Sequence, residues 1–182
     1  AFILQFFSFN VPFLSPFANF DFSALPEIMG GFILGPIGAI EIIVIKLGLI
    51  LAFKGTTSMF TGEIQNFILS CAYVLPAILY YRKNRTKKGA ITGLLLGIII
   101  SVVIAIFTNL YLIFPAYIYL YGMSWDQILG ICAAVNPYIS TKISFVAFSV
   151  IPFNLISRCT TSIITFFLYK KISKPIKHFI QE

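Results

Sequence analysis

The sequence predicts an all-α integral membrane protein: one domain, residues 1–182, built of six transmembrane helices, the first incomplete and the second short. Three observations carry that expectation. Hydrophobic residues make up 59% of the chain and charged residues only 10%. Mean hydropathy is +0.95, well outside the range of a soluble domain. The basic residues gather in two short clusters, the pattern expected at the cytoplasmic ends of membrane helices.

Each element follows from its length and its breakers. Ala1 to Phe9 is apolar but rises only ~14 Å as a helix, so it reads as the outer end of a first helix whose beginning is missing. A cleaved signal peptide is the rival reading, without a basic n-region or a small-residue cleavage site to support it. Asn10, Pro12, Ser15, Pro16 and Asn19 then break any helix. Ala24 to Gly35 is half a span, and Gly35-Pro36 forces a turn before Ile37 to Phe53, which is slightly short. Gly62 to Tyr81, Gly89 to Pro115 and Ile143 to Tyr169 each meet the ~20 residues needed to cross hydrocarbon.

Charge then predicts the orientation. Arg82, Lys83, Arg85, Lys87 and Lys88 crowd one loop, and Lys170, Lys171, Lys174 and Lys177 crowd the tail. Two helices separate the clusters, so both can lie on the cytoplasmic side of the plasma membrane, together with the termini. The Gly35-Pro36 turn then lies inside, while Phe9 to Phe22, Gly55 to Thr61 and Tyr117 to Lys142 lie outside. The net charge of +7 is mostly this asymmetry, which suits lipid headgroups or an acidic cytoplasmic partner. No basic groove with interleaved aromatics remains, so nucleic acid is not an expected partner.

The outer loops have their own signals. Ser124-Trp125-Asp126-Gln127 is a capping-box pattern, predicting a short interfacial helix to about Ala134 with Trp125 at headgroup level. Asn136-Pro137 stops it. The loop Val11 to Phe22 carries Phe13, Leu14, Phe17, Phe20 and Phe22 among prolines and serines, an apolar outer segment that needs something to cover.

Catalysis has little to work with. Cys71, Cys132 and Cys159 are scattered without CxxC spacing, and the only histidine, His178, lies in the basic tail. No metal site, cofactor or catalytic residue is expected, and the GxxxxGK[ST] phosphate loop of an ATPase is absent from the sequence. The polar residues at membrane depth are the better candidates, because hydrocarbon makes each of them costly. Glu63 and Asn66 share a helix face near the outer start of their helix, where a carboxylate gains from the helix dipole. Asn109 sits near the outer end of the next helix, and Asn154 and Arg158 share a face of the last. A carboxamide suits the edge of a heterocycle, but interhelical hydrogen bonding accounts for it equally. Glu41 and Lys46 project on different faces; snorkelling or a bond to another helix explains Lys46 better than a proton relay. Gly93 to Gly97 predicts tight helix packing.

Certain segments carry a family likeness. They are Phe20-Asp21-Phe22-Ser23-Ala24-Leu25-Pro26, Gly30-Gly31-Phe32-Ile33-Leu34-Gly35-Pro36, Gly62-Glu63-Ile64-Gln65-Asn66-Phe67, and Pro152-Phe153-Asn154-Leu155-Ile156. In their order and spacing the chain resembles the riboflavin-binding S components of energy-coupling-factor (ECF) vitamin importers over nearly its whole length. The resemblance implies an S-component fold that captures riboflavin on the outer face, as transported ligand rather than cofactor. It also implies docking on a membrane scaffold subunit that works with two ABC-type ATPases. It makes the first outer loop a lid and points to Leu14, Phe22, Glu63, Asn66, Asn109, Asn154, Ser157 and Arg158 as ligand-binding residues. Several relatives carry lysine where this chain has Ser157, followed by Arg158. An S component for thiamine or a pyridoxine-like ring, and a membrane scaffold protein without ligand, are the alternatives.

Overall fold

The computed structural model describes residues 1–11, 14, 19–56 and 58–179. Phe13, Phe17, Pro12, Ser15 and Pro16 of the aromatic outer loop lie outside the described residues. Helix dominates. Helix α1 is Phe2–Phe6, followed by a two-residue antiparallel ladder of β1 (Phe9–Asn10) with β2 (Asn19–Phe20), in which Phe9 faces Phe20. The expected helix to Phe9 thus ends early, because the chain turns back to pair with the segment ahead of α2.

Helix α2 (Ala24–Leu34) runs into α3 (Pro36–Lys54) through Gly35, whose φ of +90° is open to glycine and whose N–H bonds Gly31 O at 2.9 Å. Pro36 opens α3, where its missing N–H costs nothing. Helices α4 (Thr61–Lys83) and α5 (Lys87–Thr108) form a hairpin, with Thr86 Oγ1 accepting from Gly89 N at 2.9 Å as the α5 cap. Gly93 and Gly97 let α5 lie against the carbonyls of Ala77 and Tyr73, so their spacing is indeed a packing device.

Two wide π-helical segments are the main departure from expectation. Asn109–Ile113 joins α5 to α6 (Phe114–Tyr121), and Val146–Val150 joins α8 (Lys142–Phe145) to α9 (Ile151–Phe179). Each ends two residues before a proline, Pro115 or Pro152. A proline ring collides with the carbonyl four residues back, here Tyr111 or Phe148, and both of those lie within the widened turns. The helix therefore passes through Pro115 to Tyr121 instead of stopping, and the outer connection starts only at Gly122, with φ +65°. Helix α7 (Trp125–Val135) carries both bonds of the expected capping box.

Among the described residues there are seven continuous helical bodies, four of them long and apolar enough to cross a membrane: 36–54, 61–83, 87–121 and 142–168. The expected six-helix count is not reproduced by length alone, since α1 and α2 are short and α7 is an additional, shorter helix. One core joins Ile28, Ala39, Tyr73, Ala77, Ile78 and Ile98. A second packs Phe114, Ile128, Cys132, Ile139 and Phe145, seating α7 on the end of the bundle. Ile45, Ile99, Val103, Phe107 and Ile163 remain exposed on the outer faces of the long helices, as lipid contact requires.

Candidate functional site

Against the second core, sharing Leu69, Phe114, Phe145 and Val150 with it, lies a cavity of about 350 Å³, in the range of small-molecule sites. It is lined by Ser8, Asn19 and Asp21 from the β-ladder region and by side chains from α3, α4, both π segments and α9. Asp21 Oδ1 accepts from Ser23 N at 2.7 Å, which turns the chain from the ladder into α2. The ladder region thus borders the cavity, and α2 begins directly after it in the chain.

Six of the residues singled out in the sequence converge on this cavity: Glu63, Asn66, Asn109, Asn154, Ser157 and Arg158. Leu14 and Phe22 are not among its wall residues. Phe22 packs edge-on against Phe20, rings 5.2 Å apart, and Leu14 sits in a turn with its N–H on Val11 O.

The two asparagines of the π segments and α9 share a geometry. Asn109 Nδ2 donates to Ala105 O at 2.7 Å, and Asn154 Nδ2 donates to Val150 O at 2.9 Å. Each amide is thereby turned so that Oδ1 and one N–H remain available. Asn154 is buried and Asn109 half-buried. Each caps a carbonyl near a π segment, where the helical ladder is loosened.

Glu63 is engaged locally. Its Oε2 accepts from Ser58 Oγ at 3.0 Å and Thr56 Oγ1 at 3.2 Å, pinning the α3–α4 loop to the cavity wall. Arg158 lies over the Tyr73 ring, and its Nε is buried with no hydrogen-bond partner among the described residues. A buried, unpartnered N–H on a side chain that lines a cavity is unusual enough to need an explanation, and an incoming acceptor supplies one. Aromatic surface comes from Phe114, Tyr117, Phe145 and Phe153, and aliphatic surface from Ile50, Leu69, Ile113 and Val150.

The bond from Lys46 to another helix, one of the two expectations for it, is present, and its partner Glu27 was not singled out in the sequence. Lys46 is fully buried and pairs with Glu27 of α2, Nζ to Oε1 at 2.5 Å, while also donating to Asn66 Oδ1 at 2.7 Å. Glu41, which the sequence placed beside Lys46, is exposed and has no such partner among the described residues. The available signal was that Glu27 is the lone carboxylate in an otherwise uncharged half-span.

Comparison with known proteins converges on one family. The family model described as "ECF transporter, substrate-specific component" matches residues 1–169. The chain is 30% identical over 177 residues to the riboflavin transporter RibU of Staphylococcus aureus, covering 97% of this chain and 86% of that protein. It is 28% identical over 176 residues to the riboflavin transporter FmnP of Bacillus subtilis, covering 96% and 86%. A solved S component of a bacterial ECF transporter superposes with a TM-score of 0.76 at 28% identity, covering 97% of this chain and 90% of that one.

Proposed function

Since the chain belongs to the substrate-specific components of ECF transporters, we propose that it is the riboflavin-binding membrane subunit of a vitamin uptake system. The observation that carries this reading is the cavity. Asn66 of α4, Asn109 of the first π segment, and Asn154 and Arg158 of α9 all line it, together with aromatic and aliphatic side chains. Riboflavin has the complementary make-up: a flat ring that favours apolar walls, a pyrimidine edge of alternating acceptors and N–H, and a hydroxyl-rich ribityl chain. Asn109, Asn154 and Arg158 supply partners for the edge, while Glu63 and the serines suit the hydroxyls. The protein on this reading captures its ligand and leaves it chemically unchanged.

The first helix contributes Phe2–Phe6 and the second is α2, so that with α3, α4, the α5–α6 body and the α8–α9 body the membrane domain counts six. The basic α4–α5 loop and the tail face the cytoplasm of the plasma membrane, and the ladder region faces outward over the site. With Phe22 and Leu14, the outer loop closes on bound riboflavin as a lid. Uptake is driven by a scaffold subunit with two ATPases.

Calorimetric titration of the purified protein with riboflavin in detergent tests the reading. One site per chain with a Kd below about 1 μM, and a yellow protein as purified, are expected. No riboflavin binding, with heat instead from thiamine or a pyridoxine-like ring, overturns it.

A further inference from the structure

The ammonium of Lys46 decides which end of the Asn66 amide the cavity meets. Its three protons have three acceptors: Glu27 Oε1, Asn66 Oδ1 and Ser23 Oγ, the last at 3.3 Å. An ammonium has no acceptor capacity, so the Asn66 atom facing it is the carbonyl oxygen. Ser70 Oγ donates to that same oxygen at 3.4 Å. Asn66 Nδ2 is therefore the end left over, and it has no hydrogen-bond partner among the described residues, although Asn66 lines the cavity. Asn109 and Asn154 differ: each has one N–H on its own helix, which leaves Oδ1 and the second N–H open.

We infer that Lys46, anchored by Glu27, is a positioning residue that sets Asn66 as a hydrogen-bond donor, so that the α4 wall reads an acceptor on the ligand while Asn109 and Asn154 present acceptors. The inference rests on the reading of the cavity as a riboflavin site. Electrostatics explain why the arrangement holds. Both Lys46 and Glu27 have 0% side-chain exposure, and a charge isolated there is far costlier than the pair. The ammonium cannot leave Glu27, and rotating the Asn66 amide would set N–H against N–H. The amide is thus locked by a group that itself cannot move. An acceptor-bearing edge, such as a ring carbonyl or imine nitrogen, is stabilised at that wall, and an edge bearing N–H or C–H is refused.

The test compares riboflavin with analogues that each remove or weaken one ring acceptor: 1-deaza- and 5-deazariboflavin, in which C–H replaces a ring nitrogen, and the 2-thio and 4-thio forms, in which a weakly accepting sulfur replaces a carbonyl oxygen. Affinities are measured on the purified full chain in detergent. The wild-type protein is expected to disfavour one analogue by about tenfold. In Glu27→Met/Lys46→Met, which removes the buried pair without orphaning a charge, Asn66 is free to rotate and that ratio is expected to fall to within about twofold. Asn66→Leu, which keeps the pair and its packing, is expected to give the same loss of discrimination. A purely structural role for the pair would weaken riboflavin and the analogue together and leave the ratio as in wild type; that result overturns the inference. So does an unchanged ratio in Asn66→Leu, or a wild-type protein indifferent to every analogue. Failure of the wild-type protein to bind riboflavin removes the functional reading and this inference together, whereas the other negative outcomes remove only the inference.

Discussion

The Arg158 guanidinium lies 5.1 Å from the centre of the Tyr73 ring, and the Tyr73 hydroxyl lies 2.7 Å from Ser162 Oγ, one turn further along α9. Tyr73 is fully buried, so α9 holds a ring of α4 at two points, and Arg158 also lines the cavity. A desolvated cation over an aromatic face is worth ~2 kcal/mol, enough to keep a flexible side chain in one place.

This contact separates stability from binding. Tyr73→Phe removes one buried hydroxyl bond and is expected to lower stability by about 1 kcal/mol with riboflavin affinity nearly unchanged. Arg158→Ala is expected to weaken riboflavin by about tenfold or more, because the ligand loses a charged donor. Thermal unfolding and titration of both variants check the contrast; equal effects on riboflavin would remove Arg158 from the site.

Asn109→Ala and Asn154→Ala each leave ligand polar atoms unpaired and are expected to cost roughly 1–3 kcal/mol of riboflavin binding. Each also frees a backbone carbonyl, so a smaller loss of stability accompanies it. Unchanged affinity in both folded variants would put the vitamin elsewhere.

Glycine substitutions test the hairpin packing. A methyl at Gly97 runs into the Tyr73 carbonyl and one at Gly93 into that of Ala77, and backbone cannot step aside. Gly97→Ala is expected to destabilise by about 1–3 kcal/mol. Gly48, which meets nothing within 4 Å, serves as the counterpart, and Gly48→Ala is expected to be neutral or slightly stabilising. Melting curves in detergent give both values.

Orientation is read by an impermeant thiol reagent on whole cells. Met123→Cys is expected to be modified and Asn84→Cys protected. The native background is low: Cys132 is buried, with its thiol pushed up to about 11 by desolvation, and Cys71 and Cys159 lie within spans. Modification at position 84 instead would put the basic loop outside and reverse the topology.

In liposomes the protein alone is expected to bind riboflavin without accumulating it. Accumulation under a proton or sodium gradient would mean that the chain transports by itself, and would direct attention to the buried Glu27–Lys46 pair as a coupling site.

Much of this architecture is local and was legible in the residues. Span lengths follow from runs of apolar side chains, the α2–α3 turn from Gly35-Pro36, the α7 cap from Ser124 and Gln127, and the α4–α5 approach from Gly93 and Gly97. Each rests on neighbours within about one turn, where covalent geometry and the cost of unpaired backbone in hydrocarbon leave few options. Ser157 came only from the family resemblance, whereas that Glu63, Asn66, Asn109, Asn154 and Arg158 line one cavity was legible for a related reason, since a polar side chain at membrane depth must meet something polar. What it meets is a different matter. Lys46 had Glu41 close by in sequence, yet it pairs with Glu27, 19 residues away, because helix packing turns one carboxylate inward and leaves the other exposed. Helical periodicity assigns a face; only the fold says which faces meet. The tertiary structure likewise decided that two prolines would be absorbed by π turns rather than end their helices. It also decided which end of each asparagine amide is held by the protein, because those outcomes depend on partners the chain brings together only once it has folded.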